Sequence, residues 1–196
     1  SKHLFWAPSG DRPMIALPGA NNIAVGDSFG HVHVLAGSAS LEEVEAVSED
    51  VSFVGHTVDI MRLASDRSGG YIASAAADNS VRVWNADSGQ PLPWVAEIEG
   101  EAVDAMVFSP DASLLAILKG STLGLYKVID GSLTVEFEFG EPDYSLAFAT
   151  NDRIYAGGTN GTLEAISHDG DGVWSRQSLW QSTGAIQRIA ASPRGR

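Results

Sequence analysis

The sequence contains no cysteine. It therefore has no disulfide framework, no thiolate nucleophile and no cysteine-based zinc site. This composition fits a reducing compartment, and the opening residues 1–13 lack the long apolar core of a signal peptide, so we expect a cytoplasmic location. No apolar run approaches the roughly 20 residues that a membrane helix needs, and no membrane association is expected.

Positive charge is also scarce. The chain of 196 residues has 12 Lys and Arg against 25 Asp and Glu, a formal net charge of −13 at pH 7. Phosphate binding needs a surplus of Lys and Arg, so the composition excludes nucleic acid as a partner and disfavours anionic membrane surfaces. With 44% hydrophobic and 19% charged residues, the composition is that of a globular protein.

Motifs that carry chemistry are missing as well. There is no Gly-x-Ser-x-Gly elbow, no phosphate-cradling loop and no His-Glu-x-x-His. His31 and His33 flank Val32 and so point to one face of a strand, a spacing compatible with a metal, but we favour a solvent-facing polar pair. Residues 169–172, Asp-Gly-Asp-Gly, indicate a hairpin turn rather than a calcium loop, because the spaced oxygen ligands are absent. We predict no catalytic residue, no metal and no cofactor.

What the sequence does contain is a repeat. A block of strand, tight polar turn and strand recurs along the chain, at residues 23–35, 72–84 and 154–166, with a shorter version at 115–126. A second strand-like element precedes or follows each block. Its copies begin 45, 41 and 42 residues apart, at Asp59, Asp104, Ser145 and Gln187.

Four short strands fit each period, which is the signature of a β-propeller blade. We therefore predict an all-β fold with blades of four antiparallel strands, about four blades plus the first strand of a fifth. Residues 1–196 form a single propeller in this interpretation. The predicted bounds are about 7–52, 53–98, 99–139 and 140–180 for blades 1 to 4, with the start of a further blade at 184–196. Leu41–Val47 has helix-forming composition but is short for a helix, and strand and helix remain open there.

One blade resembles a known family. Gly55-His56, an apolar strand and then residues 72–85, closing on Trp84-Asn85, resemble a WD40 repeat, with asparagine in place of the family's final aspartate. In that family a His, a Ser, an Asp and the Trp form a buried hydrogen-bonded tetrad. The matching residues here are His56, Ser74, Asp78 and Trp84. The resemblance implies a propeller that binds proteins or peptides and is not an enzyme.

Alternatives to this interpretation remain open. Residues 86–94 resemble the Ala-x-Asp…Gly…Trp docking motif of quinoprotein-type propellers, which would imply a propeller enzyme or ligand binder. We favour WD40, because the Gly-His and Val-Arg-Val-Trp elements have no counterpart in that family. A sensor or autoinhibitory propeller attached to an ATPase or protease is a further alternative.

The strand count also leaves the ring open. An open stack of blades exposes two apolar walls to water, so we expect the chain to be part of a longer propeller whose remaining blades lie on the same or another chain. A four-bladed ring is the alternative.

Acidic residues are concentrated in the loops that a propeller gathers at one rim, namely those between blades and those between second and third strands. Lys119 is the lone cation there. The candidate rim residues are Asp27, Glu99, Glu101, Glu141 and Asp143. Such a rim would steer a basic partner and speed its association. The expected function is thus an interaction module or scaffold that presents an acidic loop rim to a protein or peptide, within a larger protein or complex.

Overall fold

The computed structural model describes residues 13–18, 22–36, 52–97, 102–139 and 145–191. Over these ranges the chain forms sixteen strands in four separate sheets of four. Neighbouring strands within each sheet pair antiparallel and in chain order. The prediction of an all-β chain built from four-stranded blades is confirmed.

Each blade is one meander. Blade 1 comprises β1 (Met14–Leu17), β2 (Asn22–Gly26), β3 (His31–Ala36) and β4 (Ser52–Val54). Blade 2 comprises β5 (Ile60–Ser65), β6 (Tyr71–Ala76), β7 (Ser80–Asn85) and β8 (Pro91–Glu97). Blade 3 comprises β9 (Val103–Phe108), β10 (Leu114–Lys119), β11 (Thr122–Lys127) and β12 (Leu133–Glu138). Blade 4 comprises β13 (Ser145–Thr150), β14 (Arg153–Gly157), β15 (Thr162–His168) and β16 (Trp174–Gln181).

Short polar side chains close the turns between second and third strands. In blade 2 the carboxylate of Asp78 accepts a hydrogen bond from the backbone N–H of Ser80 at 3.0 Å. In blade 4 the side-chain oxygen of Asn160 accepts one from the N–H of Thr162 at 2.9 Å. Asp and Asn favour such turns because their side chains bond to the backbone two residues further on. The turn chemistry therefore fixes where each third strand begins.

Burial follows the position of a strand within its blade. The central strands β6 and β10 are buried over nearly their whole length, whereas the outer strands β8 and β12 alternate between exposed and half-buried residues. Blades stack face to face, so a central strand is covered on both faces and reads as a continuous apolar run. The outermost strand β16 is exposed over most of its length.

Three apolar cores lie between successive blades. The first, between blades 1 and 2, includes Phe53 and Trp84, the second contains Val83 and Leu115, and the third contains Leu125. The innermost strands lie in the order β1, β5, β9 and β13, each against the next. Within the described ranges, no comparable packing joins β13 to β1. The longer propeller and the four-bladed ring both stay predictions.

The junction between blades 1 and 2 depends on a close approach. Ile60, the first residue of β5, packs on Gly26, and its N–H donates to the carbonyl of Asp27 at 3.0 Å. A Cβ on Gly26 would lie 2.5 Å from the Ile60 side chain, so only glycine leaves room for the next blade.

The same arrangement recurs after blade 4. Residues 182–191 belong to none of the described strands. Nevertheless, the N–H of Ile186 donates to the carbonyl of Gly158 at 3.0 Å, and a Cβ on Gly157 would lie 2.5 Å from the Ile186 side chain. Ile186 therefore lies against blade 4 as Ile60 lies against blade 1. The start of a further blade at 184–196 stays a prediction, and Leu41–Val47 is outside the described residues.

Candidate functional site

A hydrogen-bonded relay of three side chains links the entry of blade 2 to its sheet. The imidazole of His56 lies just before β5, with Nε2 2.8 Å from the hydroxyl oxygen of Ser74 on β6. The indole N–H of Trp84 on β7 donates to the same oxygen, also at 2.8 Å. Trp84 and Ser74 are fully buried and His56 is 3% exposed. Buried polar groups need partners, and here one hydroxyl serves two rings.

Asp78 joins this relay only through an intermediary. Its carboxylate accepts a hydrogen bond from the Ser80 hydroxyl at 2.7 Å, and that hydroxyl lies 2.9 Å from Nδ1 of His56. The resemblance to WD40 repeats implies a buried hydrogen-bonded tetrad that includes Asp78, but Asp78 is exposed in the turn between β6 and β7. Ser80 is thus a member of the relay that the sequence analysis missed. Its position two residues after a turn aspartate is the signal that would have identified it.

Burial keeps the imidazole of His56 neutral. Desolvation and the nearby positive charge of Arg82 lower the pKa of His56 from 6.5 to about 4, while Asp78 opposes this only in part. A neutral imidazole carries one donor and one acceptor nitrogen, which suits contacts with two hydroxyl groups. The arrangement is a structural lock, since both ring nitrogens of His56 are already occupied.

Trp84 also closes the interface with blade 1. Its indole stacks on the ring of Phe53 from β4, with centroids 5.6 Å apart and planes 14° from parallel. Offset stacking of this kind adds to the energy of burial. The relay and the stacked pair together hold blade 2 against blade 1 in one orientation.

Of the five candidate rim residues, only Asp27 lies within the described residues, and its carboxylate is not a free rim charge. One oxygen, Oδ1, accepts backbone N–H groups of Phe29 and His31, each at 2.8 Å. The other, Oδ2, lies 3.1 Å from Nδ1 of His31 and 3.0 Å from Nε2 of His33. Burial opposes ionisation of Asp27, but these hydrogen bonds outweigh it and lower its pKa. Glu99, Glu101, Glu141 and Asp143 are outside the described residues.

Two other carboxylates and an aromatic ring are exposed along the same edge of the blades. Asp59 precedes β5 and Asp78 lies in the turn between β6 and β7, and both are exposed. Phe29, at the corresponding turn of blade 1, is 72% exposed. The described part of this edge therefore offers negative charge and an apolar anchor.

Comparison with known proteins identifies the repeat. The model of the family described as WD domain, G-beta repeat matches residues 48–85, which contain His56, Ser74, Asp78 and Trp84. This is a WD40-repeat β-propeller chain. The resemblance predicted from the sequence is thereby confirmed.

The WD40 chain is also similar to known proteins over a longer stretch. It is 26% identical over 123 residues to Protein hir-1 of Neurospora crassa, a match that covers 61% of this chain and 11% of that protein. Its fold is similar to a chain in the crystal structure of the Mitotic Checkpoint Complex, with a TM-score of 0.69, 21% identity and coverage of 90% of this chain and 54% of the other. Hsv2 of Kluyveromyces lactis gives a TM-score of 0.67 at 18% identity, covering 83% of this chain and 59% of that chain. This WD40 chain thus spans a tenth to three fifths of the lengths of these proteins.

The other blades of this WD40 chain keep the register of the repeat without its polar relay. In blade 2, Ile72 pairs with Trp84, and in blade 4 Ile154 pairs with Ile166 at the same place. Ala156 of blade 4 occupies the position of the relay serine and is fully buried. In blade 4, apolar contacts take the place of the hydrogen bonds that the serine and the tryptophan make in blade 2.

The guanidinium of Arg176 in blade 4 makes contacts both within its own blade and with blade 3. Glu164, 9% exposed, lies 3.5 Å from Nε of Arg176 on the neighbouring strand. The guanidinium lies 5.3 Å from the centroid of the Phe139 ring and donates to the carbonyl of Glu138. Arg176 therefore joins two strands of blade 4 by charge, and it links blade 4 to blade 3 by a cation–π contact and a hydrogen bond.

The tryptophans outside the relay differ in role. Trp94, which the sequence analysis placed in a quinoprotein-type motif, donates from its indole N–H to the carbonyl of Val128 at 2.8 Å and so joins blades 2 and 3. Trp174 packs against the core between blades 3 and 4. Trp180 on β16 is 57% exposed.

A shallow pocket of about 230 Å³ lies where the β13–β14 and β15–β16 turns meet. Polar and charged side chains line it, among them Asp152, Arg153, His168 and Asp169. Nδ1 of His168 lies 4.0 Å from Oδ1 of Asp152 across this pocket.

Within the part of the chain that the structure describes, no helix has the length and apolar character that a membrane crossing requires.

Proposed function

We propose that this chain is a non-catalytic scaffold whose acidic loop edge binds a basic segment of a protein or peptide. WD40 propellers are generally scaffolds for protein–protein interaction. The observation that carries the proposal is the exposed edge of blades 1 and 2, which contains Asp59, Asp78 and the exposed ring of Phe29. Aromatic anchors within a charged surround are typical of binding surfaces.

The direction of the strands supports the proposal that the acidic edge includes the remaining candidate residues. β8 runs in the same direction as β6, so the end of β8 lies at the same edge as the turn that follows β6. Glu99 and Glu101 follow β8 along the chain, and Glu141 and Asp143 follow β12 in the same way. Their carboxylates would add to those of Asp59 and Asp78 and strengthen the attraction of a cationic partner.

Preorganisation supports binding at this edge. The turn that carries Asp78 is tied through Ser80 and His56 to the buried hydroxyl of Ser74. A surface held in its binding conformation loses little conformational entropy when a partner binds. One structural neighbour was solved within the Mitotic Checkpoint Complex, which supports a role in an assembly.

The experiment selects ligands from a random peptide display library on the intact chain. A peptide that is enriched is then synthesised, and its affinity is measured by fluorescence anisotropy. We expect selected peptides to be rich in Lys and Arg, and E99K/E101K to weaken binding by about tenfold, because two attractive charges become repulsive.

The matched control is D87K/E136K, which makes the same change in net charge. Asp87 lies in the β7–β8 turn at the opposite edge, Glu136 lies on the outer strand β12, and both residues are exposed. The control should bind like the parent protein. Equal losses in the two variants, or selection of uncharged peptides, would show that the acidic edge is not the binding surface.

A further inference from the structure

The β2–β3 hairpin of blade 1 brings two imidazoles to one carboxylate oxygen. Nδ1 of His31 and Nε2 of His33 lie 3.1 and 3.0 Å from Oδ2 of Asp27. The two rings are nearly perpendicular, at 81°, with centroids 5.9 Å apart. All three candidate ligand atoms lie within 4.8 Å of one another.

Strand periodicity explains why the imidazoles converge. Val32 lies between the two histidines on β3 and is fully buried in the core between blades 1 and 2. Successive side chains of a strand point to opposite faces, so His31 and His33 share the face away from that core. Asp27 directly follows β2, and its backbone N–H donates to the carbonyl of His31 at 2.9 Å.

The carboxylate is held in place for this contact. Its Oδ1 accepts the N–H groups of Phe29 and His31, which leaves Oδ2 directed at the two imidazoles. Hydrogen bonds that orient a ligand in this way are typical of metal sites.

Blade 1 differs from the other blades at this place. The first residue of the third strand is a hydroxyl residue in blades 2, 3 and 4, namely Ser80, Thr122 and Thr162, but it is His31 in blade 1. In blade 2 the single hydroxyl of Ser80 is sufficient to bond the turn carboxylate of Asp78. Closing the turn therefore does not explain why two imidazoles contact Oδ2 of Asp27 in blade 1.

We propose that Asp27, His31 and His33 form a binding site for a divalent transition metal ion of the zinc type. Zinc takes imidazole nitrogen and carboxylate oxygen at about 2.0–2.2 Å, so tetrahedral ligand atoms are roughly 3.3 Å apart, close to the two nitrogen–oxygen distances of 3.1 and 3.0 Å. The side chains of His31, His33 and Asp27 are 35%, 25% and 15% exposed. An ion can reach them from solvent, and a fourth position stays open for water or for a group from another molecule.

The experiment titrates Zn²⁺ into the untagged intact chain by isothermal calorimetry, after treatment with a chelator. We expect one equivalent to bind, and His31→Asn and His33→Asn each to weaken binding by about tenfold or more, since even residues that only orient ligands contribute 10–100-fold. His168→Asn is the matched control, because His168 also lies near a carboxylate but at 4.0 Å. Unchanged affinity in H31N/H33N would overturn the proposal.

A second measurement needs no variant. Diethyl pyrocarbonate modifies accessible imidazoles, and mass spectrometry locates the modified residues. We expect Zn²⁺ to protect His31 and His33 and to leave His168 reactive. If His31 and His33 react equally fast with and without Zn²⁺, they do not bind the ion.

Discussion

Blades 2 and 4 share one backbone register but are held to the preceding blade by different chemistry. In blade 2 a buried hydroxyl, Ser74, is hydrogen-bonded to two rings, and the indole of Trp84 stacks on blade 1. In blade 4 the equivalent positions are the fully buried Ala156 and Ile166. The propeller architecture therefore requires a filled interface at this place, and either a satisfied polar relay or plain apolar packing meets that requirement.

The polar relay and the apolar interface are sensitive to different substitutions. A relay fails when one member is removed, because its buried partners lose their hydrogen bonds. An apolar interface fails when a polar group is introduced or a cavity is opened. Substitutions in the two blades should therefore destabilise the chain by different amounts and for different reasons.

Trp84→Ala should produce the largest loss of stability. It removes the largest fully buried side chain, opens a cavity against Phe53 and leaves Ser74 with one partner fewer. We expect the free energy of unfolding to fall by about 3–5 kcal/mol, measured by urea denaturation. Trp180→Ala removes an exposed indole and should change it by less than about 0.5 kcal/mol. Similar losses in both variants would mean that Trp84 has no special role.

Exchanging the polar and the apolar residue at the equivalent position of the two blades should lower the free energy of unfolding in both cases. Ser74→Ala leaves the indole N–H of Trp84 and a nitrogen of His56 unpaired, at a cost of about 1–3 kcal/mol. Ala156→Ser places a hydroxyl in the apolar interface of blade 4 and should cost a similar amount, about 1–3 kcal/mol. Urea denaturation measures both. If Ala156→Ser is neutral, the blade 4 interface is more polar than its contacts indicate.

Acidification should weaken blade 2 through His56, which has no counterpart in the relay position of blade 4. The pKa of His56 is lowered from 6.5 to about 4 in the folded chain. Between these values the unfolded chain binds a proton that the folded chain does not, so stability falls as pH falls from 6.5 to 4. The loss is on the order of 2 kcal/mol. Urea midpoints over this range measure it.

Two variants isolate the contribution of His56. His56→Asn should reduce this pH dependence, although it also lowers stability at pH 7 because the relay is broken. Trp180→Ala, which changes no titratable group, should leave the pH dependence unchanged. If the parent protein and His56→Asn lose stability in parallel, other groups cause the acid sensitivity.

The turn residues should give the smallest effect and no difference between the blades. Asp78 and Asn160 each accept a hydrogen bond at the start of a third strand, and both are exposed. Asp78→Ala and Asn160→Ala should each cost about 0.5–1 kcal/mol in thermal or urea denaturation. A clearly larger loss for Asp78→Ala would show that Asp78 stabilises His56 more than the route through Ser80 indicates.

Much of the fold could be predicted from sequence, because period and turn chemistry are local signals. The spacing of the repeats and the turn residues locate four-stranded units, and the Gly-His and Trp-Asn pairs mark blade 2. The relay serine and tryptophan could be assigned because their spacing fixes their register. Ser80 was missed because the tetrad of the WD40 family does not include it, although its position two residues after Asp78 indicates a hydrogen bond with that carboxylate.

Contacts that depend on side-chain direction or irregular pairing could not be predicted. Asp27 was assigned to the rim by its loop position, yet its carboxylate contacts the imidazoles of His31 and His33. Glu164 meets Arg176 because the pairing of β15 and β16 shifts between Leu163 and Glu164. A register shift of this kind changes which side chains are neighbours, and the local sequence does not indicate it.

The contact of Ile60 on Gly26 is repeated by Ile186 on Gly157, and it makes the two ends of the stack of blades different from each other. One surface of a blade receives the isoleucine that opens the following segment, so the contact is heterologous. Heterologous contacts produce a ring when successive rotations add up to a full circle and an open array when they do not. A blade with such a junction is a unit that gene duplication can add without altering its neighbours.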